Sequence, residues 1–318
     1  MSNIIENVEP EQHKDYDRFH LNHLQSIHGD GAWYLNHRFI GKGGNGTTFF
    51  VTCTSGPNYG VQFALKVFHK VSDDRRRQRF LDEVRHYRAL AHPSIIRVYD
   101  EGTYQSGDRS YPFAVVDFLP TNLEQKLGFG APQVTRLEAI RYVLNVASGV
   151  RYLHIQANPI IHRDIKPANI LVSGSTARLG DLGLAKVLMG DEEENAEDVQ
   201  AYVAMPRFYR TPELVSRARG EHTVLTVKSD IYQLGLVLYR AVTGFNPQKP
   251  PKDSSLEDIE IHLRPIVGSG GRQLTELVSE MLQNEGSRRP SAEQVVNRLS
   301  VIHQEVCQAD LDATGVMR

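Results

Sequence analysis

A change of hydrophobic period one third of the way along the chain constrains its fold most. Between residues 33 and 118, apolar residues come in short β-branched or aromatic runs: Phe49-Phe50-Val51, residues 61–68 and residues 113–118. Gly, Pro, Asn and Ser separate them, which is the pattern of strands and turns. One helical interval intervenes at 79–90, where Phe80, Val84, Tyr87 and Leu90 recur at steps of three or four. After Leu119-Pro120-Thr121-Asn122 the helical period takes over. Leu137, Ile140, Leu144, Ala147, Val150 and Leu153 form one stripe, and 231–243 and 274–283 read the same way. No unit of about 20–50 residues repeats, which excludes a solenoid or propeller. The pattern predicts a small β-rich lobe joined through a short linker near 117–122 to a larger helical lobe.

With 318 residues, 40% hydrophobic and 23% charged, such a chain buries a sizeable core without disulfide or metal staples. Its 36 Lys and Arg against 38 Asp and Glu give a net charge of −2. No basic excess points to nucleic acid as a partner. Cys53 and Cys307 are the only cysteines, too few for a disulfide framework or a structural zinc site. The first ten residues, MSNIIENVEP, have neither the charged start nor the apolar run of a signal peptide. The apolar stretch 234–242 is interrupted by Arg240 and is too short to span a bilayer. The expectation is a cytoplasmic protein with no membrane partner.

Four sequence elements carry chemistry. Gly41-Lys42-Gly43-Gly44-Asn45-Gly46 fits G-x-G-x-x-G, but the β run 47–51 follows it where a dinucleotide fold requires a helix. It also lacks the closing Lys-Ser/Thr of a Walker A loop. A glycine hairpin can still bring backbone N–H groups to phosphates, although ordinary hairpin glycines read equally well. Ala64-Leu65-Lys66-Val67 places Lys66 on the strand face opposite Leu65 and Val67. The lysine is either an edge charge or the partner of an acid, for which Glu83 on the following helix is the candidate.

The third element, His162-Arg163-Asp164-Ile165-Lys166-Pro167-Ala168-Asn169, is the most specific. Asp can accept or orient a hydroxyl proton, the Asn oxygen suits Mg²⁺, and Lys neutralises phosphate charge. The fourth, Gly180-Asp181-Leu182-Gly183, sets a carboxylate between glycines, well placed for a metal. Thr211-Pro212-Glu213, the helix start at Ser229-Asp230 and Arg288-Arg289-Pro290 follow in order.

On these motifs the chain resembles the eukaryotic-type (Hanks-type) serine/threonine protein kinases from about residue 34 to 300. The resemblance implies an α+β, bilobal kinase fold, with a five-stranded sheet and one helix in the small lobe and ATP between the lobes. Residues 1–30 would form an N-terminal extension and 31–305 the kinase domain: N-lobe 31–117, hinge 117–122, C-lobe 123–305. Residues 306–318 would be a tail. It implies nucleotide binding by Gly41, Gly43, Gly46, Ala64, Lys66, Glu83, Asp117 and Leu119, with Lys66 on the α/β-phosphates and paired to Glu83. Asp164 would be the catalytic base and Lys166 would contact the transferred phosphate. Asn169 and Asp181 would hold Mg²⁺, with Mn²⁺ as a substitute. Glu213 would pair with Arg289, Asp230 would tie the catalytic loop to its supporting helix, and Val116 would stand before the linker as gatekeeper. Lys166 in its context is similar to the serine/threonine branch. The implied activity is transfer of the γ-phosphate of ATP to Ser or Thr of proteins, the chain itself included, with a regulatory partner chain possible.

The sequence departs from that pattern in four places. Asn45 stands at the glycine-loop tip, where an aromatic or Ser is common, with Thr48 in place of a Val. Leu182 replaces the Phe of Asp-Phe-Gly, and Pro206 falls where a Thr ordinarily bonds the catalytic Asp and Lys. No Ser or Thr lies between Asp181 and Arg210. That segment instead carries the acidic run Asp191-Glu192-Glu193-Glu194. The run either stands in for an activating phosphate, facing Arg163 and the basic residues 75–79, or is a solvated loop. Pro206 supports a rival reading as a pseudokinase scaffold. A small-molecule phosphotransferase is a second rival, against which the Thr211-Pro212-Glu213 and Asp230 elements weigh. His20 and His23 would share one face of a polar helix packed on the small lobe.

Overall fold

The computed structural model describes residues 19–43, 46–72, 74–128, 134–180, 186–187, 208–249 and 258–314. It divides into two compact units: Met1–Arg88 with Val98–Phe118, and Ala89–Arg97 with Leu119–Arg318.

The first unit is built on an antiparallel sheet. Its strands are β1 (Ser26–His28), β2 (Trp33–Lys42), β3 (Gly46–Cys53), β4 (Gln62–Phe68), β5 (Val98–Ser106) and β6 (Arg109–Asp117), in the order β1-β2-β3-β4-β6-β5. One helix, α1 (Asp74–Arg88), accompanies it. Along β3 the side chains alternate as a strand with one buried face requires, whereas β4 is buried on both faces, Ala64 and Phe68 lying on that of Lys66. Phe49, Val51, Phe63, Leu65 and Val67 go into a core shared with Tyr34, Phe113 and Val115. Register places Lys66 beside Thr48 and Ala114, and Ala64 beside Phe50 and Val116, on the opposite face.

The sheet has six strands, not five. The extra one, β1, comes from the segment whose sequence reads as a polar extension, and residues 19–25 before it are not helical. The reason lies in a buried polar partner. Asn36 of β2 donates from its side chain to the Asn22 carbonyl at 2.8 Å. The Asn36 backbone accepts from Leu24 and donates to Gln25. These bonds, with Leu21 and Ile27 inserted into the sheet core, give more than a marginal polar helix could. Leu24 turns at φ 58° and is exposed.

The second unit is mainly helical: α2 (Leu123–Leu127), α3 (Arg136–His154), α4 (Pro212–Ala218), α5 (Val227–Thr243), α6 (Gly271–Met281) and α7 (Ala292–Thr314). Short strands β7 (Thr121–Asn122), β9 (Ile170–Ser173) and β10 (Thr176–Leu179) form one sheet, and β8 (Ile160–Ile161) pairs with β11 (Lys186–Val187). Capping boxes start α2 at Asn122/Gln125 and α3 at Thr135/Glu138, each satisfying two backbone donors that a helix start leaves over. Helix α5 is buried from Ser229 to Tyr239 and packs on α3 and α6. Each of its fully buried large aliphatic side chains contributes about 1.5–3 kcal/mol. Residues 89–97 belong here too, through Ile96 and Ser94 bonding the Leu179 backbone at 3.0 and 2.8 Å. Helix α7 runs on past residue 306 to Thr314.

Candidate active site

The loop 162–169 leaves the buried pair Ile160-Ile161 of β8 and re-enters the structure as β9. Its shape is set by α5. Asp230, in the first turn of α5 and fully buried, accepts from the backbone N–H of His162 through Oδ2 and of Arg163 through Oδ1, both at 2.9 Å. Oδ2 also meets Nε2 of His154, at the end of α3, at 2.8 Å. Burial alone would raise the affinity of this carboxyl for a proton. The hydrogen bond and charge of His154, then His162 and the Arg163 N–H, outweigh burial and hold Asp230 below the ordinary carboxylate range. Arg163 itself stands at φ 68°, a left-handed conformation that a non-glycine residue adopts only when its surroundings fix it.

Three residues along α5, Gln233 continues the clamp. Its Oε1 accepts from Ile165 N–H at 2.9 Å, and its Nε2 donates to the carbonyls of Arg163 at 2.9 Å and Tyr209 at 3.0 Å. Tyr209 is the other left-handed non-glycine residue among those described in this unit, at φ 69°. Its N–H donates to Gln248 Oε1 at 2.6 Å, and its hydroxyl accepts from Arg240, which also pairs with Glu124. Burial pushes the Tyr209 phenol up to about 12, against the lowering pull of Arg240. Motif reading missed Gln233, Gln248 and Tyr209. The available signal was a glutamine at i+3 from Asp230 inside an otherwise apolar helix, a position that only a buried partner justifies.

Within this frame the candidate side chains converge. Lys166 Nζ donates to both carboxylate oxygens of Asp164, at 2.9 and 2.7 Å. Asn169 Nδ2 donates to the Asp164 carbonyl at 2.9 Å and to its Oδ2 at 2.8 Å. The side-chain amide nitrogen of Asn169 is thus committed to Asp164, and its side-chain Oδ1, distinct from the main-chain carbonyl, is the hard oxygen donor of that amide. His162 is buried. Its Nε2 lies 3.1 Å from the Gly180 carbonyl, which can only accept, so Nε2 carries the proton and Nδ1 receives the Asp164 N–H at 3.4 Å. Gly180 N–H in turn donates to the Asn169 carbonyl at 2.8 Å. The residue that precedes Asp181 is therefore fastened to the loop at both ends of its peptide. Asp181, Leu182, Pro206 and the acidic run 191–194 lie outside the described residues, as do Gly44 and Asn45.

Glu213, in the first turn of α4, pairs with Arg289 at 2.6 Å, as the sequence leads one to expect. Arg289 is buried and also donates to the carbonyls of Gln283, Lys228 and Asn284, with its guanidinium 4.8 Å from the Tyr232 ring centre.

In the other unit, Gly41 lies in β2, Gly46 opens β3, and Gly43 N–H donates to the Gly46 carbonyl at 2.8 Å. Ala64 and Lys66 share the sheet face described above. Glu83 lies in α1, and its side chain is outside the described residues. Asp117 closes β6 and accepts from the Tyr99 hydroxyl at 3.0 Å. Leu119, half-buried, belongs to the helical unit. No group of three or more His, Cys, Asp or Glu among the described residues is arranged to hold a metal unaided. Mg²⁺ normally binds through one or two protein groups plus substrate phosphates, and Asn169 beside Asp164 fits that use. No helix among the described residues is long and apolar enough to cross a membrane.

A protein kinase domain matches residues 34–299, and the chain belongs to that family. Among curated relatives, serine/threonine-protein kinase 12 of Arabidopsis thaliana is 26% identical over 257 residues, 77% of this chain and 52% of that protein. Serine/threonine-protein kinase mos of Xenopus laevis is 29% identical over 276 residues, 82% of this chain and 73% of the relative. Serine/threonine-protein kinase PknB of Mycobacterium tuberculosis is 31% identical over 170 residues, 53% of this chain and 26% of the relative. The chain thus spans about half the length of the plant relative and about a quarter of the mycobacterial one.

Proposed function

We propose that this protein is a serine/threonine protein kinase that transfers the γ-phosphate of Mg-ATP to Ser or Thr hydroxyls of proteins, itself included. The observation that carries the reading is the arrangement around Asp164, whose carboxylate is held by Lys166 and Asn169 on a loop clamped by Asp230 and Gln233. Phosphoryl transfer requires positioning and charge stabilisation more than covalent chemistry. Asp164 orients the incoming hydroxyl and takes its proton at a carboxylate oxygen. Lys166 then moves from that carboxylate toward the transferred phosphate, where its charge offsets the charge that develops. Asn169 and Asp181 would hold Mg²⁺, which would offset phosphate charge and make the phosphorus more electrophilic. Gly41, Gly43, Gly46, Ala64, Lys66, Glu83, Asp117 and Leu119 hold the nucleotide, with Lys66 on its phosphates. Lys166 supports the serine/threonine branch, as do the names of the relatives. With no Ser or Thr between Asp181 and Arg210, autophosphorylation falls elsewhere. The two free thiols, Cys53 and Cys307, suit a cytoplasmic setting.

The test is substrate choice. Purified protein with Mg-ATP is offered a Ser/Thr peptide library, a Tyr peptide library, and a panel of free sugars and amino alcohols. Phosphate on Ser/Thr peptides supports the proposal. Phosphate on the small alcohols alone would replace it with a small-molecule phosphotransferase.

A further inference from the structure

Arg163 and Tyr209, the two left-handed non-glycine residues described in the helical unit, lie far apart in the chain and meet at one nitrogen. Nε2 of Gln233 donates to the Arg163 carbonyl at 2.9 Å and to the Tyr209 carbonyl at 3.0 Å. Gln233 is 1% exposed. The orientation of its amide follows from the partners. Both carbonyls can only accept, so the nitrogen faces them. The Ile165 N–H can only donate, so Oε1 faces it, at 2.9 Å.

The Arg163 carbonyl and the Ile165 N–H belong to the two peptide groups that flank Asp164. One planar side chain thus grips the main chain on both sides of Asp164 and gives its other N–H to Tyr209. With both N–H groups in use and a rigid plane, a shift of the Tyr209 carbonyl turns the atoms that hold Arg163 and Ile165. Tyr209 is also held at atoms that Gln233 does not touch. Its N–H donates to Oε1 of Gln248, whose Nε2 donates to the Arg210 carbonyl at 3.0 Å, and its hydroxyl accepts from Arg240. Gln248 is itself buried and bridged to Ile261. A left-handed conformation at a bulky residue persists only where its surroundings over-determine it. Here two such residues share one donor, so the placement of each helps to hold the other.

We propose that Gln233 is a positioning residue that ties the placement of residues 208–210 to that of Asp164. Its hydrogen bonds reach the main chain around Asp164 and not the carboxylate. The inference rests on the catalytic reading of Asp164, and adds that phosphotransfer depends on residues 208–210 through this one amide.

The test is a double-mutant cycle on the full chain. Gln248→Ala, or more mildly Tyr209→Phe, disturbs Tyr209 at atoms that Gln233 does not touch. Gln233→Glu keeps an oxygen for Ile165 but offers at most one proton, so it cannot hold both carbonyls. Gln233→Met, of similar size, removes all three bonds and is the second variant. Two readouts are followed: the amide signal of Ile165 in protein labelled with ¹⁵N-isoleucine, assigned by its loss in Ile165→Val, and kcat for transfer from Mg-ATP to a Ser peptide.

Gln248→Ala should shift the Ile165 amide proton by about 0.1 ppm or more and lower kcat about tenfold, with KM for ATP unchanged. On the Gln233→Glu or Gln233→Met background it should barely move Ile165 and lower kcat by no more than about twofold. Tyr209→Phe should give the same pattern at smaller amplitude. An Ile165 signal that neither Gln248→Ala nor Tyr209→Phe moves, or that moves as far without Gln233 as with it, would overturn the proposal. So would losses in kcat that multiply across the cycle. A wild type that transfers no phosphate would count against the catalytic reading alone, and the Ile165 shifts would still decide whether Gln233 couples the two segments.

Discussion

Arg163 holds a left-handed backbone at φ 68° with its N–H donated to Oδ1 of Asp230, 2.9 Å away. The residue immediately before Asp164 is thus kept in a conformation that costs about 1–3 kcal/mol by a fully buried carboxylate of helix α5. Asp230 need not touch any substrate to matter for the reaction. On the proposed function, its role is to aim Asp164.

Asp230→Asn should therefore damage both stability and phosphotransfer. One of the two backbone N–H groups would face an amide NH₂ in place of an oxygen, and His154 would lose its carboxylate. A loss of about 3 kcal/mol in urea unfolding is expected, with kcat down about a hundredfold as the loop shifts. Arg163→Gly, which accepts the same φ without strain, should keep most of the stability. An Asp230→Asn protein as stable and as active as the wild type would remove Asp230 from this role.

The same carboxyl sets an acid limit. Its folded-state proton affinity is depressed, so its contribution is complete above the ordinary carboxylate value of about 3.9 and is lost as pH falls through the lower folded value. Urea midpoints of wild type and Asp230→Asn, measured from pH 6 downward, should stay apart to below about pH 4 and then converge. Convergence already at pH 6 would contradict the assignment.

His92 gives a second window on the same acid side, at higher pH. Burial lowers its proton affinity, and its ring stacks on Tyr152 at 5.1 Å. A neutral folded imidazole contributes fully above the unfolded value of about 6.5, and that contribution is lost as pH drops below it. Stability at pH 5.5 should fall short of that at pH 7.5 in the wild type, by a margin that shrinks in His92→Phe. Identical pH dependence in the two proteins would dismiss His92 as the source.

Substitutions in the glycine run should separate structure from nucleotide binding. A Cβ on Gly46 would meet the Val67 carbonyl oxygen at 2.1 Å, whereas one on Gly41 or Gly43 meets nothing within 4 Å among the described residues. Gly46→Ala should cost about 1–3 kcal/mol by overpacking. Gly41→Ala should leave the melt unchanged, so that any rise in its KM for ATP reports on the nucleotide directly. Equal melting of the two variants would refute the distinction.

Arg289→Lys, finally, keeps the charge but not the fork. It would forfeit most of the bonds to Gln283, Lys228 and Asn284 and weaken the pair with Glu213. Thermal unfolding should show a loss of about 3–5 kcal/mol, the scale for breaking a buried pair. A loss below about 1 kcal/mol, the scale of an exposed pair, would show that the pair is not needed.

Motif order was the legible part of the molecule. The strands around Phe49 and Lys66, the helix over 136–154 and the meeting of Asp164, Lys166 and Asn169 all follow from period and spacing, because each depends on neighbours within a few residues. The stripe on α3 was legible only roughly: Val143 and Val146 are buried where Leu137 and Leu144 are half-buried, since α5 and α7 together cover a wider face than one stripe. β1 was not legible, because its stability comes from Asn36 and from Leu21 and Ile27 reaching a core formed elsewhere in the sequence. Gln233 and Gln248 were missed for the same reason. Their partners at Ile165, Tyr209 and Arg210 are tens of residues away.

Intact-protein mass spectrometry after incubation with Mg-ATP and a Ser/Thr protein substrate tests the central claim most directly, with wild type and Asp164→Asn run side by side. The account predicts phosphate added to substrate and to the chain by the wild type, on sites outside residues 181–210, and none above background by Asp164→Asn. Equal phosphorylation by both proteins, or none by the wild type across a broad substrate set, would contradict it.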